Sequence, residues 1–220
     1  MDSIRLRAKA IFPSVMLTVL SMVQALALEL LWTRAVESPV AWAMNWTAVI
    51  FWLQLVAVLL GLLQIWLFYI SIVIRLVWVP SIFDSVIPFG LGLVEFALVE
   101  LTQPGMMVAW LCTVALLGGS TIASGQWIFL RARREAENRE FFDAVSPATR
   151  QDLVPVGGAS LIVFALAILI AITGEQPAIT TAAVLGVIAS VAYQSNSTRD
   201  FWNRSVREAG DGPVGAERDV

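Results

Sequence analysis

The chain has 220 residues, of which 58% are apolar and only 14% are charged, and its formal net charge is −3. A water-soluble domain could not bury that much apolar surface, so the composition excludes an ordinary soluble enzyme or binding domain. The hydrocarbon layer of a membrane is ~30 Å thick and takes roughly 20 apolar residues as a helix to cross, so the number of such runs sets the architecture.

Six apolar runs are long enough, which predicts an all-α integral membrane bundle of six transmembrane helices. They cover residues 11–32, 46–73, 82–101, 106–130, 156–172 and 178–193. Small residues interrupt the fourth run at 118–126, where we expect close helix packing. The predicted units are a cytoplasmic N-terminus (1–10), helices one to four (11–130), a cytoplasmic connector (131–154), helices five and six (155–194) and a cytoplasmic polar tail (195–220).

The basic residues predict the orientation, because Lys and Arg are enriched in loops that stay in the cytoplasm. With the N-terminus inside, thirteen of the fourteen basic residues are cytoplasmic and only Arg34 lies outside. Both termini are therefore expected in the cytoplasm, in a multi-pass protein of the cell (inner) membrane. Mixed charges from Arg131 to Glu140 predict that the fourth helix continues into water, or that it contacts a partner or anionic lipid. The tail from residue 209 onward is too polar to order itself.

The first helix carries a narrow hydrophilic stripe at spacings of three and four residues. Its members are Ser14, Thr18, Ser21, Gln24 (or Ala25) and Leu28. Candidate hydrophobic constrictions along the same helix are Leu17, Leu20 and Leu28. Such a stripe fits the wall of a narrow aqueous pore formed by copies of the chain. The alternative is that the same side chains form hydrogen bonds between helices.

Two carboxylates in the third helix, Asp84 and Glu95, are eleven residues apart and therefore lie on nearly the same helix face. Asp84 is close to the cytoplasmic end, where Arg75 is a candidate partner. Glu95 lies deeper, where a carboxylate needs a partner or water, so it is a candidate titrating or cation-attracting group. Glu29 and Glu100 are near the outer ends and are expected either to form an acidic vestibule for cations or to be ordinary interfacial carboxylates.

Several kinds of chemistry lack the residues they need. Histidine is absent and Cys112 is the single cysteine, so neither a histidine metal site nor a disulfide within the chain is expected. The Walker, Gly-x-Ser-x-Gly and His-Glu-x-x-His patterns are missing as well, and the sequence predicts neither an enzyme nor a cofactor. No Thr-Val-Gly-Tyr-Gly filter or Arg-rich fourth helix is present, which disfavours a voltage-gated channel.

Three segments have a familiar arrangement. Ala27-Leu28-Glu29-Leu30 closes the first helix, Ile87-Pro88-Phe89 lies in the third, and Asp152-Leu153-Val154-Pro155 follows the Arg-rich exit from the fourth. The pattern resembles the transmembrane protein 175 family, the potassium leak channels of bacteria and lysosomes. The Phe-Ser-Asp motif of that family is not present near the start of the first helix, where residues 9–14 read Lys-Ala-Ile-Phe-Pro-Ser. The resemblance implies a tetramer whose first helices surround a potassium-permeable pore.

The sequence thus predicts an oligomeric channel for monovalent cations, with its pore lined by the first helix. One alternative is a proton-coupled secondary transporter that uses Glu95 and Asp84, and another is a non-conducting membrane subunit or scaffold. The expected partners are further copies of the chain, the lipid bilayer and monovalent cations, with no nucleic acid and no metal site.

Overall fold

A computed structural model describes residues 2–144 and 150–210, and every regular element in these two ranges is helical. The α-helices are α1 (Asp2–Glu37), α2 (Trp46–Arg75), α3 (Ile82–Glu100), α4 (Met107–Ala132), α5 (Arg139–Ala144), α6 (Arg150–Thr173) and α7 (Pro177–Gly210). All except α5 are long and apolar enough to cross a membrane. This confirms the predicted all-α bundle with six candidate transmembrane helices.

Helices α2 and α3 begin where short polar side chains bond the free backbone amides of the first turn. The Asn45 side chain accepts a hydrogen bond from the amide of Ala48 at 3.0 Å and starts α2. At the start of α3, the Ser81 hydroxyl accepts from the Asp84 amide while the Asp84 carboxylate accepts from the Ser81 amide at 2.6 Å. This reciprocal capping box fixes where α3 enters the bundle.

The helices pack mainly in four pairs. Helix α1 lies against α3 and α2, α2 pairs with α7, and α4 pairs with α6. We call the side where α1 begins and α7 ends the basic side, and the side of the α1–α2, α3–α4 and α6–α7 turns the opposite side. One apolar core includes the buried Ala27, Trp110 and Val184, and a second includes Leu20, Tyr69 and Phe141.

The segment after α4 differs from the sequence prediction. Helix α4 ends at Ala132 instead of continuing into water, and the chain turns through the 3₁₀ segment Ala136–Asn138 into α5. The buried Asn138 amide causes the change of direction, because its nitrogen donates to the carbonyl oxygens of Ala132 (2.8 Å) and Val77. Its oxygen accepts from the Val77 amide at 3.0 Å. The predicted helical extension with pairs four residues apart was therefore wrong.

Helix α7 runs on to Gly210, well beyond residue 193 where the sixth apolar run was predicted to end. Aromatic packing stabilises this polar part, since the Phe201 ring lies 6.2 Å from that of Phe129 and 5.8 Å from that of Phe141. Most of the segment predicted to be unordered, from 209 to 220, lies outside the described residues.

The contact between α1 and α3 depends on Gly92. A β-carbon added there would lie 2.3 Å from Val23 Cγ1, whereas one added at Gly90 of the same helix would have no atom within 4 Å. Gly92→Ala is expected to lower the free energy of unfolding by about 1–3 kcal/mol through overpacking. Gly90→Ala, the matched control, is expected to raise it by roughly 0.5–1 kcal/mol through helix propensity. Thermal unfolding in detergent measures both, and equal behaviour of the two variants would contradict this packing.

Candidate functional site

The polar stripe of α1 lies on the surface of the protomer. The stripe positions are all exposed, while the opposite side of α1 is buried in the bundle. The exposed residues are Ser14, Thr18, Ser21, Ala25 and Leu28. The buried side consists of Met16, Leu20, Val23, Ala27 and Leu31. Leu20, at 1% exposure, cannot serve as a constriction, and Leu17 is half-buried against the same core. An exposed stripe of this kind faces either lipid or another copy of the chain.

The three hydroxyl groups of the stripe are satisfied differently. Ser14 Oγ donates to the carbonyl of Ile11 and Thr18 Oγ1 to that of Ser14, each at 2.8 Å. These local bonds leave the hydroxyl oxygens free to accept from outside. Ser21 lies in the middle of α1 and has no hydrogen-bond partner among the described residues. A hydroxyl there without a partner is costly in hydrocarbon, which favours contact with water or with a second copy.

Gln24 departs from the stripe. Its side chain is 6% exposed and turns into the bundle, where Nε2 donates to Glu95 Oε1 of α3 at 2.6 Å. Ala25, the alternative at this turn, takes the exposed position. The placement moves Gln24 from the candidate pore wall to the buried carboxyl group.

Glu95 is 1% exposed and lies among apolar side chains in the middle of the bundle. Its Oε1 accepts from Gln24, whereas Oε2 has no hydrogen-bond partner in the described part of the chain. Beside it is an apolar cavity of about 50 Å³, bordered by Gly61, Trp110 and Val187 among others. A buried carboxyl with an unpartnered oxygen next to empty space is a costly arrangement that points to function.

Asp84 forms a different kind of contact. It is fully buried, and Oδ2 accepts from Arg131 Nη1 of α4 at 2.8 Å in addition to the Ser81 amide. The prediction that Arg75 pairs with Asp84 was wrong, because the Arg75 guanidinium lies 4.3 Å from the centre of the Phe141 ring. Asp84 therefore holds the start of α3 to the end of α4, and these contacts favour a structural role over transport.

The carboxylates on the opposite side do not form a matched pair. Glu100 forms an ion pair with Arg34, the single basic residue predicted to lie outside. Glu29 is exposed and has no ion-pair or hydrogen-bond partner among the described residues. The acidic vestibule predicted from Glu29 and Glu100 is thus reduced to Glu29, because Arg34 compensates the charge of Glu100.

An ionic clasp joins α1 to the segment after α4. Lys9 Nζ lies 2.7 Å from Glu135 Oε2 and 2.8 Å from Glu137 Oε1. The hydrogen bond from Lys9 lowers the pKa of the Glu137 carboxyl below its ordinary value. Because a lowered pKa favours the folded contact only while the carboxylate is ionised, the clasp is present near neutral pH and is lost in acid.

A cavity of about 590 Å³ opens between the α2–α7 pair and the α4–α6 pair. Sequence reasoning missed it, because it interpreted residues 118–126 only as packing. That interpretation is confirmed for Gly118 and Gly125, where an added β-carbon would lie 2.4 Å from Ser160 Oγ and 3.0 Å from Phe68 Cζ. The same stretch also supplies one wall of the cavity. The available signal was the run of hydroxyl and amide side chains from 194 to 198, which was assigned to a tail.

The described residues contain no group of three or more cysteine or acidic side chains placed to hold a metal ion. No family model matches the chain, and no curated protein or solved structure shows significant similarity to it.

Proposed function

We propose that the protein is an oligomeric channel for monovalent cations, in which α1 of each copy lines a shared pore. The observation that carries the proposal is Ser21, an exposed hydroxyl in the middle of α1 without a partner in the described chain. Water in a pore would satisfy this group and the oxygens of Ser14 and Thr18. The resemblance to the transmembrane protein 175 family favours four copies and potassium as a permeant ion.

Charge and packing support the same arrangement. Helix α1 buries only one face in its own bundle, and the opposite face presents small or hydroxyl side chains at positions 14, 18, 21 and 25. Small side chains allow helices from neighbouring copies to approach an axis. The exposed carboxylate of Glu29 would then lie at the mouth of the pore and attract cations. Leu17 and Leu28 remain the candidate constrictions.

The test compares two threonines with the same local geometry. Thr18→Leu would place an apolar side chain in the pore and is expected to reduce cation flux to a small fraction of the wild-type value. Thr181 of α7 is half-buried and donates to the carbonyl of Pro177 at 2.7 Å, as Thr18 does to that of Ser14. Thr181→Leu is therefore the matched control and should leave the flux unchanged. Flux of rubidium ions into proteoliposomes measures both variants.

Equal flux through the wild type and Thr18→Leu would remove α1 from the pore wall. A particle containing a single copy would also contradict the proposal, since one protomer supplies only one wall.

The second candidate is a proton-coupled secondary transporter centred on Glu95. The specific observation in its favour is the buried Gln24–Glu95 hydrogen bond beside a small apolar cavity, within a single protomer. Asp84, the second carboxyl group of this candidate, has Oδ2 engaged by Arg131 and Ser81, while its Oδ1 has no hydrogen-bond partner in the described part of the chain. The two candidates differ in whether transport depends on Glu95.

A further inference from the structure

The 590 Å³ cavity has a closed end and an open end. On the opposite side, the Met107 amide donates to Glu175 Oε1 at 3.1 Å, which ties α4 to the α6–α7 turn. The fully buried Ala167 and Val184 lie between this contact and the cavity, which extends from there towards the basic side. The lining along α7 extends from Val187 to Arg204, which corresponds to about 25 Å of helix.

The lining changes in character along this length. Near the closed end it is apolar, with Val114, Leu117, Val163 and Val187. Towards the basic side α7 contributes polar side chains, opposite the rings of Phe68 and Phe129. These polar residues are Gln194, Asn196, Ser197, Thr198, Asp200 and Arg204. A ligand that matches both ends must be amphiphilic, with an apolar chain in the deep part and a polar group at the mouth.

The charges at the mouth define the polar group. Asp200 and Arg204 are one helical turn apart on α7, both are exposed, and neither has an ion-pair partner among the described residues. Two opposite, unpaired charges on one face complement a headgroup that carries both signs.

A buried polar atom at the middle of the cavity is also unsatisfied. Gln64 is 8% exposed and lines the cavity, and its Nε2 donates to Thr198 Oγ1 at 2.8 Å. Its Oε1 has no hydrogen-bond partner in the described part of the chain. Native proteins rarely leave such an acceptor unpaired, so this atom independently indicates a missing donor.

We propose that the cavity binds a single-chain amphiphile with a zwitterionic headgroup, its chain directed to the closed end and its headgroup between Asp200 and Arg204. The cavity volume lies within the range of ligand sites, roughly 300–1,000 Å³. The site is complete within one protomer, so it does not depend on the proposed pore or on the number of copies.

The experiment measures equilibrium binding of radiolabelled lysophosphatidylcholine to the purified full-length chain in a neutral detergent. Saturable binding is expected. Gly61 lines the cavity and an added β-carbon there would have no atom within 4 Å, so Gly61→Phe is expected to fill the cavity and weaken binding by at least about tenfold. Gly119 of α4 has equally free space but does not line the cavity, and Gly119→Phe should bind normally.

Surface variants keep the test decisive if Gly61→Phe does not fold. Arg204→Gln and Asp200→Asn are each expected to weaken binding about tenfold, the value of one charge-assisted contact. Arg199→Gln is the matched control, because Arg199 is exposed on the same helix but does not line the cavity.

Competition with parts of the ligand identifies its class and source. Glycerophosphocholine, which has the headgroup alone, and dodecanol, which has a chain alone, should compete weakly. If glycerophosphocholine competed as well as the lysolipid, the site would be one for a soluble polar molecule and the proposal would be overturned. Absence of saturable binding, or equal binding by the wild type, Arg204→Gln and Asp200→Asn, would overturn it too. Lysolipid carried through purification from the membrane would identify a lipid source, whereas an empty site filled only from solution would identify a soluble amphiphile.

Discussion

Replacement of Asp84 by alanine is expected to lower the free energy of unfolding by about 3 kcal/mol, because it removes the buried carboxylate of the Asp84–Arg131 ion pair. The Asp84 side chain is fully buried, and it accepts hydrogen bonds from both Arg131 Nη1 and the Ser81 amide. Its loss leaves the guanidinium of Arg131 without a carboxylate and the first turn of α3 without half of its capping box. Reversible unfolding in mixed detergent micelles measures the change.

The matched control is a second ion pair, which joins Arg34 of α1 to Glu100 of α3. The Glu100 side chain is 52% exposed, so water replaces the contact when it is broken. Arg34→Gln is therefore expected to cost at most about 1 kcal/mol. Equal losses for Asp84→Ala and Arg34→Gln would mean that the Asp84–Arg131 pair is as hydrated as the exposed one.

The six spans could be predicted because length and apolar composition alone decide whether a helix crosses a membrane. The residues at which the helices end could not be predicted in the same way. Whether α4 continues beyond Ala132 depends on Asn138, whose amide bonds the carbonyl oxygens of Ala132 and Val77, residues that are distant from one another in sequence. Helix α7 likewise continues past residue 193 because Phe201 finds aromatic partners in two other segments.

The candidate site shows the same limit at the level of single residues. Gln24 and Ala25 were equally good members of the α1 stripe, since both lie beside it on the helix surface. Gln24 is the buried one because Glu95, seventy-one residues further along the chain, accepts a hydrogen bond from it. Periodicity reports which face of a helix is polar, but it does not report which polar groups meet. The 590 Å³ cavity lies between two helix pairs, and the polar run from 194 to 198 does not indicate which other helices will face it.

Replacement of Glu95 by glutamine is expected to separate the two candidate functions. Glutamine has nearly the same size and keeps an oxygen that can accept from Gln24 Nε2, so the bundle should fold while the group can no longer exchange a proton. If Glu95 couples protons to transport, a sodium or potassium gradient will drive a pH change inside wild-type proteoliposomes. The same gradient should produce only the background rate of protein-free liposomes with Glu95→Gln.

Enclosed pyranine reports the internal pH and rubidium uptake reports cation movement in the same vesicles. Glu100→Gln is the control, because Glu100 is exposed and paired with Arg34 at the rim of the bundle. A channel lined by α1 predicts that rubidium flux survives Glu95→Gln, since the carboxyl of Glu95 faces away from the exposed stripe. If the pH change and the rubidium uptake are both lost in Glu95→Gln but both retained in Glu100→Gln, transport is assigned to the protomer interior. Retention of flux in both variants would leave α1 as the conducting surface, because Glu95 is the one carboxyl group buried in the middle of the described bundle.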